Sequence, residues 1–143
     1  MSSAVASRSC QPECPPDAAV ARPRIVLVDD ESSIREIWGC ILSNAGYSVA
    51  CFADAASALE AIAEGCDCVI TDYHMPEMNG VELIRAARRL SEAQFILMTG
   101  NLSEELTEEA LSAGAAYVAH KPTSAPVMLQ KLKKLTGKSV ARG

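Results

Sequence analysis

Apolar and polar positions along the chain fall into two alternating patterns. Five short runs are apolar at almost every position, which is typical of strands buried on both faces of a parallel sheet. The sequence therefore predicts five strands. They cover residues 25–28, 47–52, 68–70 (continuing into Asp72), 95–98 and 117–119.

In the intervening segments apolar residues recur every three or four positions, which predicts helices with one buried face. The first helix is predicted to end at Gly46, because glycine adopts a left-handed backbone easily. Asp54 and Ser103 are predicted N-caps of helices that end at Gly65 and Gly114. The predicted buried faces are Ile34, Ile37, Trp38, Ile41, Leu42 and Ala45; Leu59 and Ile62; Leu83, Ile84 and Ala87; Leu106, Ala110 and Leu111; and Met128, Leu129, Leu132 and Leu135.

Strand and helix alternate five times, which predicts an α/β fold with a doubly wound parallel sheet and helices on both faces. A loop containing Met75, Pro76 and Gly80 is predicted before the third helix, and Ser124 is predicted to begin the fifth.

The chain of 143 residues suits one domain, which we place at residues 23–137. Residues 1–22 are rich in Ser, Ala and Pro without a period, and they predict a disordered leader. Residues 138–143 form a short predicted tail. Too few residues follow Leu135 for a DNA-binding module, which favours a domain that acts without one.

Composition narrows the class of protein. Aromatic residues make up 4% of the chain and hydrophobic residues 49%, which predicts an aliphatic core. The formal net charge of −5 argues against nucleic acid as a partner. We expect no insertion into a membrane and a cytoplasmic location, because there is no run of about eighteen apolar residues and no signal peptide.

Six cysteines are present, and in a reducing cytoplasm we expect free thiols. Their spacing lacks the paired ligands of a zinc site. Cys66 and Cys68 are predicted to point to the same face of a strand, where they pack as small apolar side chains. Trp38 is predicted to belong to the core.

Polar residues follow four of the five predicted strands, at the sheet edge where α/β proteins bind ligands. Asp29 and Asp30 follow the first strand, Asp72 the third, Thr99 the fourth and Lys121 the fifth. Converging carboxylates repel each other unless a cation is near, and an oxygen-only site suits Mg²⁺. A carboxylate can act as a nucleophile and form an acyl phosphate, while a lysine and a hydroxyl can stabilise phosphoryl oxygens.

Four motifs in this order resemble the response-regulator receiver family of bacterial two-component signalling, over roughly residues 23–137. They are Val-Asp-Asp-Glu from Val28, Thr-Asp-Tyr-His-Met-Pro-Glu-Met-Asn-Gly from Thr71, Met-Thr-Gly from Met98 and His-Lys-Pro from His120. The resemblance implies a flavodoxin-like sheet of strand order 2-1-3-4-5 with five helices. It also implies a histidine kinase or histidine phosphotransfer protein as phosphodonor, and a downstream protein target.

The resemblance also implies roles for individual residues. Asp72 is the expected phosphoacceptor, and Mg²⁺ is expected at Asp29, Asp30, Asp72 and the backbone carbonyl of His74. Thr99 and Lys121 are expected to bind the phosphoryl group, with Gly100 leaving room beside it. The side chains of His74 and Asn101 are expected to set the phosphoryl lifetime, and the Lys121–Pro122 peptide bond is expected to be cis.

The chain departs from the family at Val118, three residues before Lys121, where the family usually has an inward-turning Tyr or Phe. Tyr117 lies one residue earlier, and strand alternation predicts that it faces the opposite side of the sheet. A valine cannot swing as far, so we expect the partner-binding face, formed by the fourth helix, the fifth strand and the fifth helix, to respond through loop and helix shifts.

Two other functions remain open from the sequence. One is an interaction module that keeps the fold but does not depend on phosphorylation, which the change at Val118 favours. The other is a small Mg²⁺-dependent phosphatase, but that class needs a second acid two residues after the nucleophile, where this chain has His74. We therefore expect a phosphorylation switch that modifies only itself rather than a stand-alone enzyme.

Overall fold

The computed structural model describes residues 22–121 and 123–136. Strands and helices alternate strictly along this part of the chain. The elements are β1 (Arg24–Val28), α1 (Ser32–Asn44), β2 (Ser48–Phe52), α2 (Ala55–Glu64), β3 (Cys68–Asp72), α3 (Gly80–Arg88), β4 (Gln94–Thr99), α4 (Glu104–Ala113), β5 (Ala115–His120) and α5 (Ala125–Thr136).

The five strands form one parallel sheet in the order β2-β1-β3-β4-β5. The predicted flavodoxin-like fold is therefore confirmed. In this order β1 and β3 are neighbours, with β2 on one side and β4 on the other. The chain reverses its winding direction there, and the loops that leave β1 and β3 diverge to opposite faces.

The core has two layers, one on each face of the sheet. On one face, alternate strand residues such as Val26 and Val69 pack beneath α2, α3 and α4. On the other face, residues such as Ile25 and Ile70 pack beneath α1 and α5. Trp38 lies in this second layer, as predicted. Burial on both faces explains why the strands are apolar at consecutive positions rather than at every second one.

Two predictions about side-chain burial are wrong. Ile37 is 54% exposed and Leu111 is 49% exposed. A helix advances about 100° per residue, so Ile37 lies about 100° from the buried Trp38, and Leu111 lies as far from the buried Ala110. Both side chains are therefore outside the buried face.

Cys66 and Cys68 do not share a strand face. Cys66 precedes β3 and packs against the layer under α2, α3 and α4, whereas Cys68 is in the layer under α1 and α5. Burial raises the pKa of the Cys66 thiol to about 11, and the nearby Asp67 carboxylate adds to the shift. This thiol is therefore protonated at neutral pH.

The predicted helix ends are confirmed. The side chains of Asp54 and Ser103 accept the backbone N–H groups of Ser57 and Leu106, at 2.8 and 3.1 Å. Gly65 and Gly114 are the C-terminal caps of α2 and α4. Gly46 follows α1 with a φ of 104°, which a residue with a Cβ adopts only at a cost.

The predicted leader lies outside the described residues except for Arg22, and the predicted tail and the Lys121–Pro122 peptide bond also lie outside them. The proposed domain boundaries remain predictions. Within residues 22–121 and 123–136, no helix is long and apolar enough to cross a membrane.

Candidate functional site

Within the described chain, every buried polar or charged residue lies at one edge of the sheet. Asp29, Thr71, Asp72 and Thr99 are each at most 5% exposed. Asp29 directly follows β1, Thr71 and Asp72 end β3, and Thr99 ends β4. We call this edge, at the carboxyl ends of the strands, the upper rim. Burying polar groups costs free energy unless they are paired, so their concentration here indicates a site rather than a core.

The upper rim brings three carboxylates and one ammonium group together. Oxygens of Asp29, Asp30 and Asp72 lie within 4.8 Å of one another. The Lys121 Nζ lies 2.9 Å from Asp72 Oδ1 and 3.4 Å from Asp29 Oδ2. Among the described residues, Lys121 is the one ion-pair partner of these carboxylates. Among the described contacts, Oδ2 of Asp72 takes no hydrogen bond, which leaves that oxygen available.

Backbone hydrogen bonds hold these residues in place. The Asp29 N–H donates to the Phe52 carbonyl at 3.1 Å, which extends the β1–β2 pairing by one residue. The Tyr73 N–H donates to the Met98 carbonyl, and the Lys121 N–H donates to the Thr99 carbonyl, both at 2.8 Å. The backbone pairing of the sheet thus continues one residue beyond its regular strands and positions the residues of the upper rim.

The surroundings of the upper rim raise the pKa values of both Asp29 and Lys121. Burial raises the pKa of the Asp29 carboxyl, and the Asp72 charge raises it further, against the opposing Glu31 N–H and Lys121. For Lys121, burial alone would lower the pKa, but the hydrogen bond to Asp72 and the charges of Asp29 and Asp72 outweigh it. The Lys121 shift reflects the two carboxylates beside it, whereas the Asp29 shift comes mainly from burial.

Thr99 is fully buried, and its hydroxyl oxygen accepts the Asn101 N–H at 3.0 Å. Gly100, between them, is exposed, and a Cβ added there would meet no atom within 4 Å. Open space therefore lies beside the end of β4. The Asn101 side chain is exposed next to that space.

His74 lies in the loop after β3 with its side chain exposed. Its ring stacks edge-on against Tyr73, with ring centroids 4.9 Å apart. A groove of about 600 Å³ opens between this loop and the exposed Asp30. The groove gives solvent and small solutes a route to the upper rim from the side of His74. It is lined by Asp30, Tyr73, His74, Met75, Pro76 and Asn79.

Gly80 lies at the start of a helix rather than in the loop that the sequence predicts. It is the first residue of α3, capped by Asn79 and Glu82 in a reciprocal capping box. A Cβ at Gly80 would lie 2.6 Å from the Asp72 carbonyl oxygen and 2.5 Å from Leu97 Cδ1. Glycine therefore lets α3 begin directly against Asp72. The Asn-x-x-Glu spacing could have revealed the cap, but not the contact.

Arg35 was also missed. Its Nη1 donates to the Asp29 backbone carbonyl at 2.7 Å. No sequence motif indicates a contact between a side chain and a backbone atom.

Val118 and Tyr117 lie on opposite faces of β5, as predicted from strand alternation. Val118 packs against the layer under α2, α3 and α4, and Tyr117 packs against the layer under α1 and α5. The Lys131 Nζ lies 4.6 Å from the centre of the Tyr117 ring, a distance typical of a cation–π contact. Tyr117 is thus held away from the face that Val118 occupies.

The chemistry of the upper rim suits a small divalent cation and a phosphoryl group. Three clustered carboxylates are hard oxygen ligands of the kind that bind Mg²⁺. A buried carboxylate beside a fixed ammonium provides both a nucleophile and a stabilising positive charge.

Comparison with known proteins identifies the family of this chain. Residues 25–133 match the response regulator receiver domain family. The chemotaxis protein CheY of Pseudomonas aeruginosa is 32% identical in an alignment of 117 residues that covers 78% of this chain and 94% of that protein. The transcriptional regulatory protein FixJ of Bradyrhizobium diazoefficiens is 32% identical over 68% of this chain, which spans only 49% of that longer protein.

Solved structures agree with the sequence comparisons. A CheY-like receiver domain protein of Methanospirillum hungatei superimposes with a TM-score of 0.79 at 30% identity, covering 86% of this chain and all of that one. The receiver domain of a Pseudomonas aeruginosa sensor histidine kinase has the same fold. Its TM-score is 0.71 at 24% identity, covering 82% of this chain and 100% of that domain. That structure has a magnesium ion coordinated in its active-site cleft. This chain therefore belongs to the response regulator receiver domain family of two-component signalling.

Proposed function

We propose that this domain is a phosphorylation switch in which Asp72 accepts a phosphoryl group from a histidine kinase or a histidine phosphotransfer protein. The observation that carries the proposal is the position of Asp72. The Asp72 carboxylate is buried, and its Oδ1 lies 2.9 Å from the Lys121 Nζ. Carboxylate oxygens of Asp29 and Asp30 lie within 4.8 Å of an Asp72 oxygen.

In the proposed reaction, a carboxylate oxygen of Asp72 attacks phosphorus and forms an acyl phosphate. The bond between phosphorus and the donor's imidazole nitrogen breaks, and the electron pair remains on that nitrogen. Because Lys121 holds Oδ1, the free Oδ2 is the expected nucleophile. Lys121 and the Thr99 hydroxyl would then bind phosphoryl oxygens, with Gly100 leaving room for them.

Asp29, Asp30 and Asp72 would hold the Mg²⁺ ion, with the His74 backbone carbonyl as a further ligand. The ion, when bound, supplies charge neutralisation for the incoming phosphoryl group. The pKa of Asp29 is raised mainly by burial and to a lesser extent by the Asp72 charge, and a bound cation would offset both effects. The magnesium ion in the related kinase receiver domain is consistent with the same site.

We further propose that phosphorylation shifts an equilibrium between two conformations and changes binding to a downstream protein. Since Val118 is small and Tyr117 is held on the other face, shifts of the β4–α4 loop and α4 would carry the change. His74 and Asn101 flank the open side of the rim and would set the phosphoryl lifetime through water access. The domain would act in the cytoplasm and would modify only itself.

Incubation with Mg²⁺ and acetyl phosphate tests the proposal. Mass spectrometry of the intact chain should show a gain of one phosphate that requires Mg²⁺. The interaction module that works without phosphorylation predicts no such gain. A phosphatase predicts continuous turnover of a generic phosphate ester, which we expect to be absent.

A further inference from the structure

Arg35 connects the first turn of α1 to the end of β1. It is the fourth residue of α1 and half-buried, and its Nη1 donates to the Asp29 carbonyl at 2.7 Å. The Arg35 backbone is itself fixed, because its N–H donates to the Glu31 carbonyl at 3.1 Å. Its carbonyl accepts a weak hydrogen bond from the Cys51 thiol at 4.0 Å, which links it to β2.

With this contact, every polar atom of Asp29 has a partner. The N–H donates to Phe52, Oδ1 accepts the Glu31 N–H, and Oδ2 is near Lys121. The bond from Arg35 to the carbonyl is the shortest of the four, and a charged donor makes it stronger than a neutral one. It fixes the peptide unit that joins Asp29 to Asp30. The orientation of both carboxylates depends on that unit.

We propose that Arg35 is a positioning residue that holds the Asp29–Asp30 turn in the geometry needed to bind a divalent cation. This inference rests on the proposed function of the upper rim. Arg35 bonds the backbone carbonyl rather than a carboxylate, so it leaves the carboxylate oxygens available to a cation. Substituting groups that orient metal ligands without touching the metal typically lowers metal affinity by about 10–100-fold.

Two simpler roles for Arg35 predict different results. If Arg35 only satisfies a buried carbonyl, its removal lowers stability and leaves Mg²⁺ affinity unchanged. If it acts only through its positive charge, its removal makes the rim more negative and tightens Mg²⁺ binding. The proposed positioning role predicts that removal of Arg35 weakens Mg²⁺ binding. The direction of the affinity change therefore separates the three roles.

The test is an NMR titration of the full chain with MgCl2, following backbone amides of the upper rim. We expect Arg35→Met to weaken Mg²⁺ binding by about tenfold or more. Arg35→Lys keeps the charge but loses the planar donor geometry, and we expect an intermediate loss. Arg85→Met, an exposed arginine on α3, is the control and should bind as the wild type does.

The dispersed amide spectrum of each variant shows whether it is folded, and Arg35→Lys decides the question if Arg35→Met does not fold. At saturating Mg²⁺, phosphorylation by acetyl phosphate should return to within a few-fold of the wild-type rate, because Asp72 and Lys121 are intact. Unchanged or tighter Mg²⁺ binding in both Arg35 variants would overturn the inference. Failure of the wild type to bind Mg²⁺ would overturn the proposed function, and this inference with it.

Discussion

Backbone hydrogen bonds join the strands at both edges of the sheet, but charged side chains are exposed at one edge and two carboxylates are buried at the other. At the lower rim, where the strands begin, polar side chains such as Arg24, Asp67 and Gln94 are exposed. Asp67 Oδ2 accepts the Arg24 N–H at 2.8 Å, and the Asp67 carbonyl accepts the Gln94 N–H at 3.0 Å. At the upper rim Asp29 and Asp72 are buried and, among the described residues, share a single ion-pair partner, Lys121.

This difference separates polar residues that support the fold from those that serve a function. Exposed, locally satisfied groups cost little and contribute modestly to stability. Buried carboxylates with too little positive charge nearby cost free energy, and in the proposed function a bound cation would recover part of it. The comparison therefore predicts that the two rims respond differently to substitution.

The largest expected contrast is between Asp72→Asn and Asp67→Ala. Asp72→Asn should reduce phosphate uptake from acetyl phosphate to background, because an amide is not a comparable nucleophile. Asp67→Ala should leave uptake unchanged and lower the free energy of unfolding by about 0.5–1.5 kcal/mol, the value of one hydrogen bond. Mass spectrometry and urea denaturation measure the two effects. Equal uptake by both variants would remove the proposed distinction between the rims.

Lys121→Met should slow phosphorylation by about a hundredfold at saturating Mg²⁺, because it removes the fixed positive charge at the reacting oxygens. Lys133→Met, an exposed lysine on α5, is the matched control and should react at the wild-type rate. The rate of phosphate incorporation is measured under identical conditions. A Lys121→Met rate within a few-fold of wild type would contradict the role assigned to the ammonium group.

Gly80→Ala should lower the free energy of unfolding by about 1–3 kcal/mol, the range for overpacking a core. The added Cβ would press on the Asp72 carbonyl, a backbone atom that cannot rotate away. Gly100→Ala is the control, because a Cβ there meets no atom within 4 Å, and its stability should change by less than about 0.5 kcal/mol. Urea denaturation that finds the two variants equally stable would show that α3 does not constrain Asp72.

The smallest expected effect is a gain in stability. Without Mg²⁺ at neutral pH, Asp29→Asn should stabilise the domain by roughly 0.5–2 kcal/mol, because it removes a buried charge while Lys121 keeps its shorter contact with Asp72. Since folding raises the pKa of Asp29, stability falls as pH rises through that pKa. The advantage of Asp29→Asn should therefore disappear below the ordinary pKa of 3.8. Thermal melts across this pH range would refute the account if the variant were less stable at neutral pH.

Much of the fold could be predicted from the sequence because burial on two faces leaves a strong periodic signal. Continuous apolar runs predict the strands, and apolar residues spaced three or four positions apart predict the helices. The wrong predictions concern residues at the edge of a buried helix face or just outside a strand. Ile37 and Leu111 lie beside a buried face rather than on it, and Cys66 precedes the strand to which it was assigned.

The candidate site was predictable only in part. Asp29, Asp72, Thr99 and Lys121 could be identified because strand ends in a parallel sheet meet at one edge. Gly80 and Arg35 could not, because their importance depends on distances to backbone atoms of Asp72 and Asp29. Contacts of this kind leave no periodic pattern and no compositional signal in the sequence.

The central claim is that Asp72, among the three clustered carboxylates, takes up phosphate. Acyl phosphates are reduced by borohydride to the alcohol, so treatment of the phosphorylated chain should convert the modified aspartate to homoserine. Peptide mass spectrometry is predicted to find this conversion at position 72 and at neither Asp29 nor Asp30. Conversion at either of those residues, or phosphate retained on His74 with Asp72 unmodified, would contradict the account.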